Sequence, residues 1–259
     1  MNVSENVSYR FVVGSLALTP ILWKRSLRFR DRRAWLLLLV ASIVGVPIQF
    51  LLQFNGLELT TVSHASLIVG TLPVLLALSS AVLFKDKLKS YEYGLMLLSA
   101  TGAVLIAFSK KSSYGPQPTL QGDILVFASM FAALVMILIT KRLIAAYGSL
   151  QVTAAMITMG TIILLIWIEA THPLRFHFSP RIWLAVIAQG VLATTAAYLF
   201  WNWGLARVPA ARAGVFLNLE PLVGTLLGMV ILQERLGALG SVGGVLILVS
   251  AAYFSRRPQ

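Results

Sequence analysis

The residues of this sequence that could do chemistry lie within long apolar segments, where polar side chains are rare. Glu220 is the only carboxylate well inside such a segment. An ionised carboxylate in the middle of a bilayer costs on the order of 3 kcal/mol or more to insert, so it is usually paired, protonated or functional. Glu220 is therefore a candidate proton or substrate site. A structural glutamate that hydrogen-bonds the backbone interrupted by Pro221 explains it equally well.

Amide and aromatic side chains complete the candidate substrate cavity. Gln49 and Gln53 lie one helical turn apart, as do Tyr198 and Asn202. Amides and indoles bind small zwitterionic or aromatic solutes without a fixed charge, whereas hydrogen bonding between helices is the structural alternative. The predicted cavity residues are Gln49, Gln53, Tyr198, Trp201, Asn202, Asn218 and Glu220.

Several chemistries require residues that the sequence lacks. It has no cysteine, which excludes disulfides, thiolate metal sites and cysteine nucleophiles. His64, close to the start of an apolar segment, has no second histidine or carboxylate at ligand spacing. A Gly-rich loop followed by Lys-Ser/Thr is also absent. We therefore expect no metal, no cofactor and no enzyme activity.

The composition indicates that lipid is the solvent of this chain. Hydrophobic residues make up 58% and charged residues 12% of the sequence, and the mean hydropathy is +0.84. Apolar segments with the approximate length of a membrane span predict an all-α polytopic membrane protein. The predicted spans are 8–23, 34–54, 60–84, 91–109, 120–142, 149–169, 180–204, 209–232 and 238–254.

An internal repeat organises these spans. Arg33-Ala34-Trp35-Leu36 returns 148 residues later as Arg181-Ile182-Trp183-Leu184. Five apolar segments lie between equivalent residues, so the two copies have opposite orientations in the membrane, as in many transporters. We predict repeats at 1–109 and 120–254.

The first repeat has one helix fewer than the second. The counterpart of the helix at 120–142 would precede residue 1, so the repeats contain helices 2–5 and helices 6–10 of a ten-helix arrangement. We favour a start codon placed too late over a nine-helix protein, because an unpartnered helix leaves packing surface uncovered.

Proline and charge recur at equivalent positions of the repeats. Pro73 and Pro221 each remove a backbone hydrogen bond near the middle of a span, and we predict that they are hinges. Asp86 and Glu234 lie where equivalent spans leave the membrane, beside basic residues. We predict gate or anchor pairs there, although most such charges are simply solvated.

The basic residues indicate the orientation. Of 21 lysines and arginines, 15 lie in alternate loops, and the positive-inside rule places those loops and the C-terminus in the cytoplasm. A nucleic-acid site is disfavoured despite the net charge of +12, because no interleaved aromatic residues accompany the basic ones.

Two phrases of the sequence carry a family resemblance. Asn218-Leu219-Glu220-Pro221-Leu222-Val223, followed by Gln233-Glu234-Arg235-Leu236, is echoed by Thr71-Leu72-Pro73-Val74 and Lys85-Asp86-Lys87-Leu88. The chain thereby resembles the drug/metabolite transporter superfamily, EamA type. The resemblance implies ten helices as five plus five, cytoplasmic termini, a central cavity, and export or exchange of small metabolites by alternating access. This sequence departs from the pattern by lacking the first helix and by carrying Asp86 where glutamate is usual.

These observations predict a secondary transporter of small organic metabolites, such as amino acids, in a bacterial plasma membrane. A lipid flippase or scramblase is the alternative, and it would require a polar groove open to lipid. We expect a small-molecule substrate and membrane lipids as partners, no nucleic acid, and a homodimer as a compatible assembly. The scaffold does not specify the substrate.

Overall fold

The computed structural model describes residues 1–24, 31–84, 89–109, 119–171, 174–220, 222–223, 226 and 237–255, and in that part of the chain every regular element is helical. The predicted class, an all-α polytopic membrane protein, is confirmed. The elements are α1 (Val3–Lys24), α2 (Arg32–Ile43), a π-helical segment (Val44–Ile48), α3 (Gln49–Leu59), α4 (Val62–Val69), α5 (Leu72–Leu83), α6 (Ser90–Ser109), α7 (Leu120–Tyr147), α8 (Ser149–Thr171), α9 (Pro180–Ala188), a second π-helical segment (Gln189–Ala196), α10 (Ala197–Leu205), α11 (Ala210–Val215), a 3₁₀ turn (Phe216–Asn218) and α12 (Ala238–Ser255).

Four described helical stretches are long and apolar enough to cross a membrane. They are Arg32–Leu59, Leu120–Tyr147, Ser149–Ala170 and Pro180–Leu205. Arg32–Leu59 and Pro180–Leu205 each contain a π-helical segment, and the helix continues on both sides of it. Each π-helical segment therefore lies inside an apolar helix.

The predicted span 60–84 is two helices in the structure. α4 ends at Val69 and α5 begins at Leu72, so Gly70 and Thr71 interrupt it. Pro73 lies in the first turn of α5, where its missing N–H costs no helical hydrogen bond. The break therefore precedes the proline. Proline is well tolerated at the beginning of a helix, and glycine readily adopts a non-helical backbone conformation.

The described chain forms two compact units. Unit 1 contains Met1–Phe54 and Phe131–Arg207, and unit 2 contains Asn55–Met130 and Val208–Gln259. Each unit combines a part of the first predicted repeat with a part of the second. The repeat boundaries concern sequence similarity rather than compactness, and they stay a prediction.

Small residues bring the helices of unit 1 into close contact. A Cβ added at Gly14 of α1 would lie 2.9 Å from Cγ2 of Thr194, and one added at Gly190 would lie 2.6 Å from Cβ of Val13. α1 therefore packs directly against the second π-helical segment. Without a hydrophobic driving force between helices in lipid, such backbone approach supplies the van der Waals contact that holds them together.

An ion pair fixes the beginning of α1 to the loop before α9. Arg175 donates from Nε to Oε1 of Glu5 at 2.8 Å, and the Tyr9 hydroxyl donates to the Arg175 carbonyl oxygen. The hydrogen bond from Arg175 lowers the pKa of the Glu5 carboxyl and raises that of the guanidinium. Tyr9 also packs against Phe176 and Trp183, with ring centroids 5.7 and 5.1 Å away. This end of unit 1 is thus held by charge and aromatic contacts together.

Unit 2 is built around two helix pairs, α6 with α12 and α5 with α11. Gly102 of α6 faces Gly243 of α12, and a Cβ on Gly102 would lie 2.6 Å from the Gly243 carbonyl oxygen. Ala103, Ile106 and Ile247 are buried around this crossing.

Candidate functional site

The structure places most of the predicted cavity residues in unit 1. Gln49 and Gln53 lie on α3, and Tyr198, Trp201 and Asn202 lie on α10. Gln49 and Asn202 are buried, whereas the other three are partly buried. Their role in binding a substrate stays a prediction.

A residue that the sequence analysis did not select, Arg10, joins these elements. Its Nε donates to Oγ1 of Thr194 at 2.8 Å. Its guanidinium carbon lies 4.7 Å from the centroid of the Phe50 ring and 5.5 Å from that of Phe11. Tyr198 lies one helical turn after Thr194, on α10. Arg10 therefore connects α1 with α3 and with the π-helical segment that precedes α10.

The contact with Thr194 fixes how deep the Arg10 head group lies. Thr194 lies 14 residues after Pro180, in a helical stretch of 26 residues. At 1.5 Å per residue, Thr194 is about 21 Å along the helix axis from Pro180. An arginine that serves as an interfacial anchor extends its head group towards the helix end. The Arg10 head group instead lies halfway along an apolar helix, where cations are rare and usually functional.

The internal repeat relates the two helices that lie beside Arg10. At the offset of 148 residues, the π-helical segment Val44–Ile48 falls within the segment Gln189–Ala196, and Phe50 falls on Tyr198. Both repeats therefore place an aromatic residue two positions after a π-helical segment, and the aromatic residue of the first repeat, Phe50, contacts Arg10. Such π-helical segments break the regular backbone hydrogen-bond pattern and occur frequently at functional sites. We call Arg10, Phe50, Thr194 and Tyr198 the Arg10 cluster.

Gln49, the residue before Phe50, has unused hydrogen-bonding capacity. Its side chain is 8% exposed, and within the described part of the chain Oε1 accepts no hydrogen bond. A buried amide oxygen without a donor is costly unless another group supplies one. The Gln49 amide oxygen is thus available to accept a hydrogen bond from a ligand.

Asn202 makes a hydrogen bond between helices. Nδ2 of Asn202 donates to Oγ1 of Thr153 on α8 at 2.8 Å, and the Thr153 hydroxyl donates to the Ser149 carbonyl oxygen at 2.7 Å. In unit 2, Asn218 likewise donates to Oγ of Ser99 at 3.0 Å. Both asparagines thus have the structural role that the sequence analysis gave as the alternative to substrate contact.

Of the remaining predicted residues, some lie in the part of the chain that the structure describes and others lie outside it. Glu220 is exposed and lies two residues after the 3₁₀ turn at Phe216–Asn218, which interrupts the predicted span 209–232. Pro73 is buried at the beginning of α5. Pro221, Asp86 and Glu234 lie outside the described residues, so the second hinge and both gate positions stay predictions.

Two ion pairs in unit 2 join residues far apart in sequence. Nδ1 of His64 lies 3.0 Å from Oδ2 of Asp123, and Nη2 of Arg212 lies 2.8 Å from Oε1 of Glu92. His64 and Arg212 are equivalent at the repeat offset. Each repeat therefore places a cationic or protonatable residue beside a carboxylate near the beginning of another helix.

The family of the chain follows from comparison with known proteins. The EamA-like transporter family matches residues 1–108 and 120–256. The chain belongs to this family. An uncharacterized transporter of Archaeoglobus fulgidus is 26% identical over 97% of this chain and 86% of its own length. The uncharacterized transporter YetK of Bacillus subtilis is 25% identical over 93% of this chain and 76% of its own.

A solved crystal structure shares the fold of this EamA-like transporter. It has a TM-score of 0.82 and 20% sequence identity, and the alignment covers 99% of this chain and 88% of the other. The predicted family resemblance is confirmed, and the protein is an integral membrane protein with a transporter role. Transporter relatives also favour a transporter over an enzyme.

The signals for the missed residues of this EamA-like transporter were present in its sequence but ambiguous. Arg10 lies near the start of the predicted span 8–23, where basic residues are common, and its depth becomes visible only when α1 packs against Thr194. Asp123 lies 59 residues from His64, so spacing along the chain could not show that they meet. The repeat offset was the usable signal, because it relates His64 to Arg212 and Phe50 to Tyr198.

Replacing Asn202 tests its structural role. We expect Asn202→Leu to lower the free energy of unfolding by about 1 kcal/mol, because hydrogen bonds between membrane helices contribute about 0.6 to 1.7 kcal/mol. Thr153→Val should cause a similar loss, and the double variant should lose less than the sum of the two. The measurement is unfolding in mixed micelles. Additive losses would contradict the interaction, and unchanged stability with lost transport would assign Asn202 to the substrate.

Proposed function

We propose that this EamA-like transporter is a secondary carrier that moves small organic metabolites, such as amino acids, across a bacterial plasma membrane. The observation that carries this proposal is the Arg10 cluster, in which a cation is held between aromatic side chains halfway along an apolar helix. A purely structural helix bundle does not need a charge at that position, whereas a carrier needs polar groups at mid-depth to bind its solute.

Alternating access is the proposed mechanism. A membrane-embedded site opens to one side of the bilayer and then to the other, and a solute gradient or an exchanged solute supplies the energy. The sequence has no ATP-binding loop that could supply it instead. The breaks at Gly70–Thr71 and at Phe216–Asn218 give unit 2 helices with irregular backbone within predicted spans, a feature that transporters use to rearrange. The distribution of basic residues supports a cytoplasmic C-terminus.

A comparison of metabolite efflux tests the proposed function. Cells that overproduce the protein should release at least one small organic metabolite faster than cells with an empty vector. Purified protein in liposomes should then accelerate movement of that metabolite, but not of fluorescent phospholipids measured by dithionite quenching. Lipid movement without metabolite movement would contradict the carrier and support a lipid scramblase. No movement of either would contradict the proposal.

Glu220 provides a test of proton coupling. If its carboxyl carries protons, Glu220→Gln should abolish the dependence of transport on a pH gradient while the protein accumulates normally. If Glu220 is structural, the yield of inserted protein should fall instead. Glu169→Gln is the matched control, because Glu169 is another exposed carboxylate, at the end of the predicted span 149–169. Unchanged pH dependence and unchanged yield would contradict both interpretations of Glu220.

A further inference from the structure

We infer that Arg10 is an anion-binding residue that receives the carboxylate of a small organic acid. The inference rests on the proposed carrier function and assigns the ligand chemistry of one position in it. The charge of Arg10, the depth of its head group and its aromatic surroundings carry the argument, each through a separate observation.

The geometry holds the guanidinium in a defined orientation. The hydrogen bond from Nε to Oγ1 of Thr194 fixes one edge, and the Phe50 ring at 4.7 Å fixes the position of the plane. A planar guanidinium matches a carboxylate with two parallel hydrogen bonds, which an ammonium cannot do. Ordering the side chain before the ligand arrives lowers the entropy lost on binding.

The surroundings of Arg10 strengthen such a contact. Phe11 and Leu18 of α1 are fully buried, and Phe50 is 7% exposed, so the cluster lies against an apolar interior. A charge pair in a medium of low dielectric constant interacts more strongly than one in water. A carboxylate bound at Arg10 would therefore be held more tightly than the same pair in water.

The aromatic residues make the cluster suitable for an acid with an apolar body. Phe50 and Tyr198 occupy equivalent positions of the two repeats. Phe50 lies 4.7 Å from the Arg10 guanidinium carbon, and Tyr198 lies one helical turn after Thr194, the hydrogen-bond partner of Arg10. Their rings offer apolar contact beside the charge. The ligand class is therefore a small organic carboxylate rather than a simple inorganic anion.

Binding of benzoate to the purified protein in nanodiscs tests the inference. Benzamide has the same shape without the charge, and empty nanodiscs correct for partitioning into lipid. Saturation-transfer NMR titration should show that the wild-type protein binds benzoate at least about tenfold more tightly than benzamide, since charge-assisted hydrogen bonds give differences of that size. Equal binding of the two probes, or no binding of benzoate, would overturn the inference.

Variants of the cluster connect that preference to Arg10. Arg10→Gln should remove the preference for benzoate and leave benzamide binding unchanged, and Arg10→Lys should keep part of the preference. A folded Arg10→Gln protein that still prefers benzoate would overturn the inference. If Arg10→Gln does not accumulate, Thr194→Val decides, because it removes only the hydroxyl that orients the guanidinium. A several-fold smaller preference in Thr194→Val supports the inference, and an unchanged preference overturns it.

This experiment separates the inference from the proposed function. Metabolite efflux that persists without benzoate binding would leave the carrier in place and refute the role of Arg10. Benzoate binding that depends on Arg10, in a protein that moves no metabolite, would keep the anion site and refute the carrier.

Discussion

Arg212→Gln is expected to lower the free energy of unfolding by about 3 kcal/mol, because it leaves a buried carboxylate without its counter-charge. The Glu92 side chain is 1% exposed, and Oε1 lies 2.8 Å from Nη2 of Arg212. Its second oxygen, Oε2, accepts the backbone N–H of Lys89 at 2.8 Å. That bond remains in the variant but cannot neutralise the charge. Unfolding in mixed micelles measures the loss.

A neighbouring arginine provides the control for Arg212. Arg207 is exposed, and its guanidinium carbon lies 3.8 Å from the centroid of the Trp203 ring. Arg207→Gln should cost no more than about 1 kcal/mol, as expected for an exposed cation–π contact. The double variant Glu92→Gln/Arg212→Gln should recover part of the stability that Arg212→Gln loses, because it buries two neutral groups. A single variant as stable as the wild type, or a double variant less stable than the single, would contradict a structural ion pair.

The equivalent residue, His64, is more exposed than Arg212. Its partner Asp123 also accepts a hydrogen bond from the Thr60 hydroxyl, and the His64 side chain is 46% exposed. An exposed histidine beside a carboxylate forms an ion pair only when it is protonated, whereas Arg212 is always charged. The two repeats therefore place a histidine–carboxylate contact and an arginine–carboxylate ion pair at equivalent positions.

The positions of the helices could be predicted from the sequence because the apolar segments are long. Every predicted span coincides at least in part with a described helix, since twenty apolar residues in lipid have few alternatives to a helix. The interruptions were harder to predict. Pro73 indicated a weak point, but the exact break depends on packing of α5 against α11, where a Cβ on Gly214 would lie 3.4 Å from Cα of Pro73.

The candidate site was predictable only in part, for a physical reason. Gln49 and Tyr198 were selected because amide and phenol groups are unusual in apolar segments, and both lie on elements that Arg10 joins. Arg10 itself lies near a predicted span end, where basic residues usually indicate orientation. Whether such a side chain extends outwards or inwards depends on the neighbouring helix, and close approach at Gly190 allows α1 to bring Arg10 to Thr194.

Gly102→Ala is expected to destabilise the protein by about 2 to 3 kcal/mol through direct contact between two backbones. The added Cβ would lie 2.6 Å from the Gly243 carbonyl oxygen and 2.8 Å from Cγ1 of Ile247. The reciprocal substitution at Gly243 would bring a Cβ against the Gly102 carbonyl oxygen. Because a backbone oxygen cannot rotate away as a flexible side chain can, α6 and α12 must separate, and contacts along the whole crossing weaken.

Gly94→Ala is the matched control for Gly102→Ala, since Gly94 lies on the same helix and a Cβ there meets no atom of the described residues within 4 Å. The same chemical change should leave stability unchanged or raise it slightly, because alanine favours a helix over glycine by up to about 1 kcal/mol. Unfolding in mixed micelles should therefore give opposite signs for the two substitutions. If Gly102→Ala were as stable as Gly94→Ala, the close approach of α6 and α12 would be wrong. If both variants lost stability equally, glycine would be needed on α6 for its backbone freedom and not for the crossing.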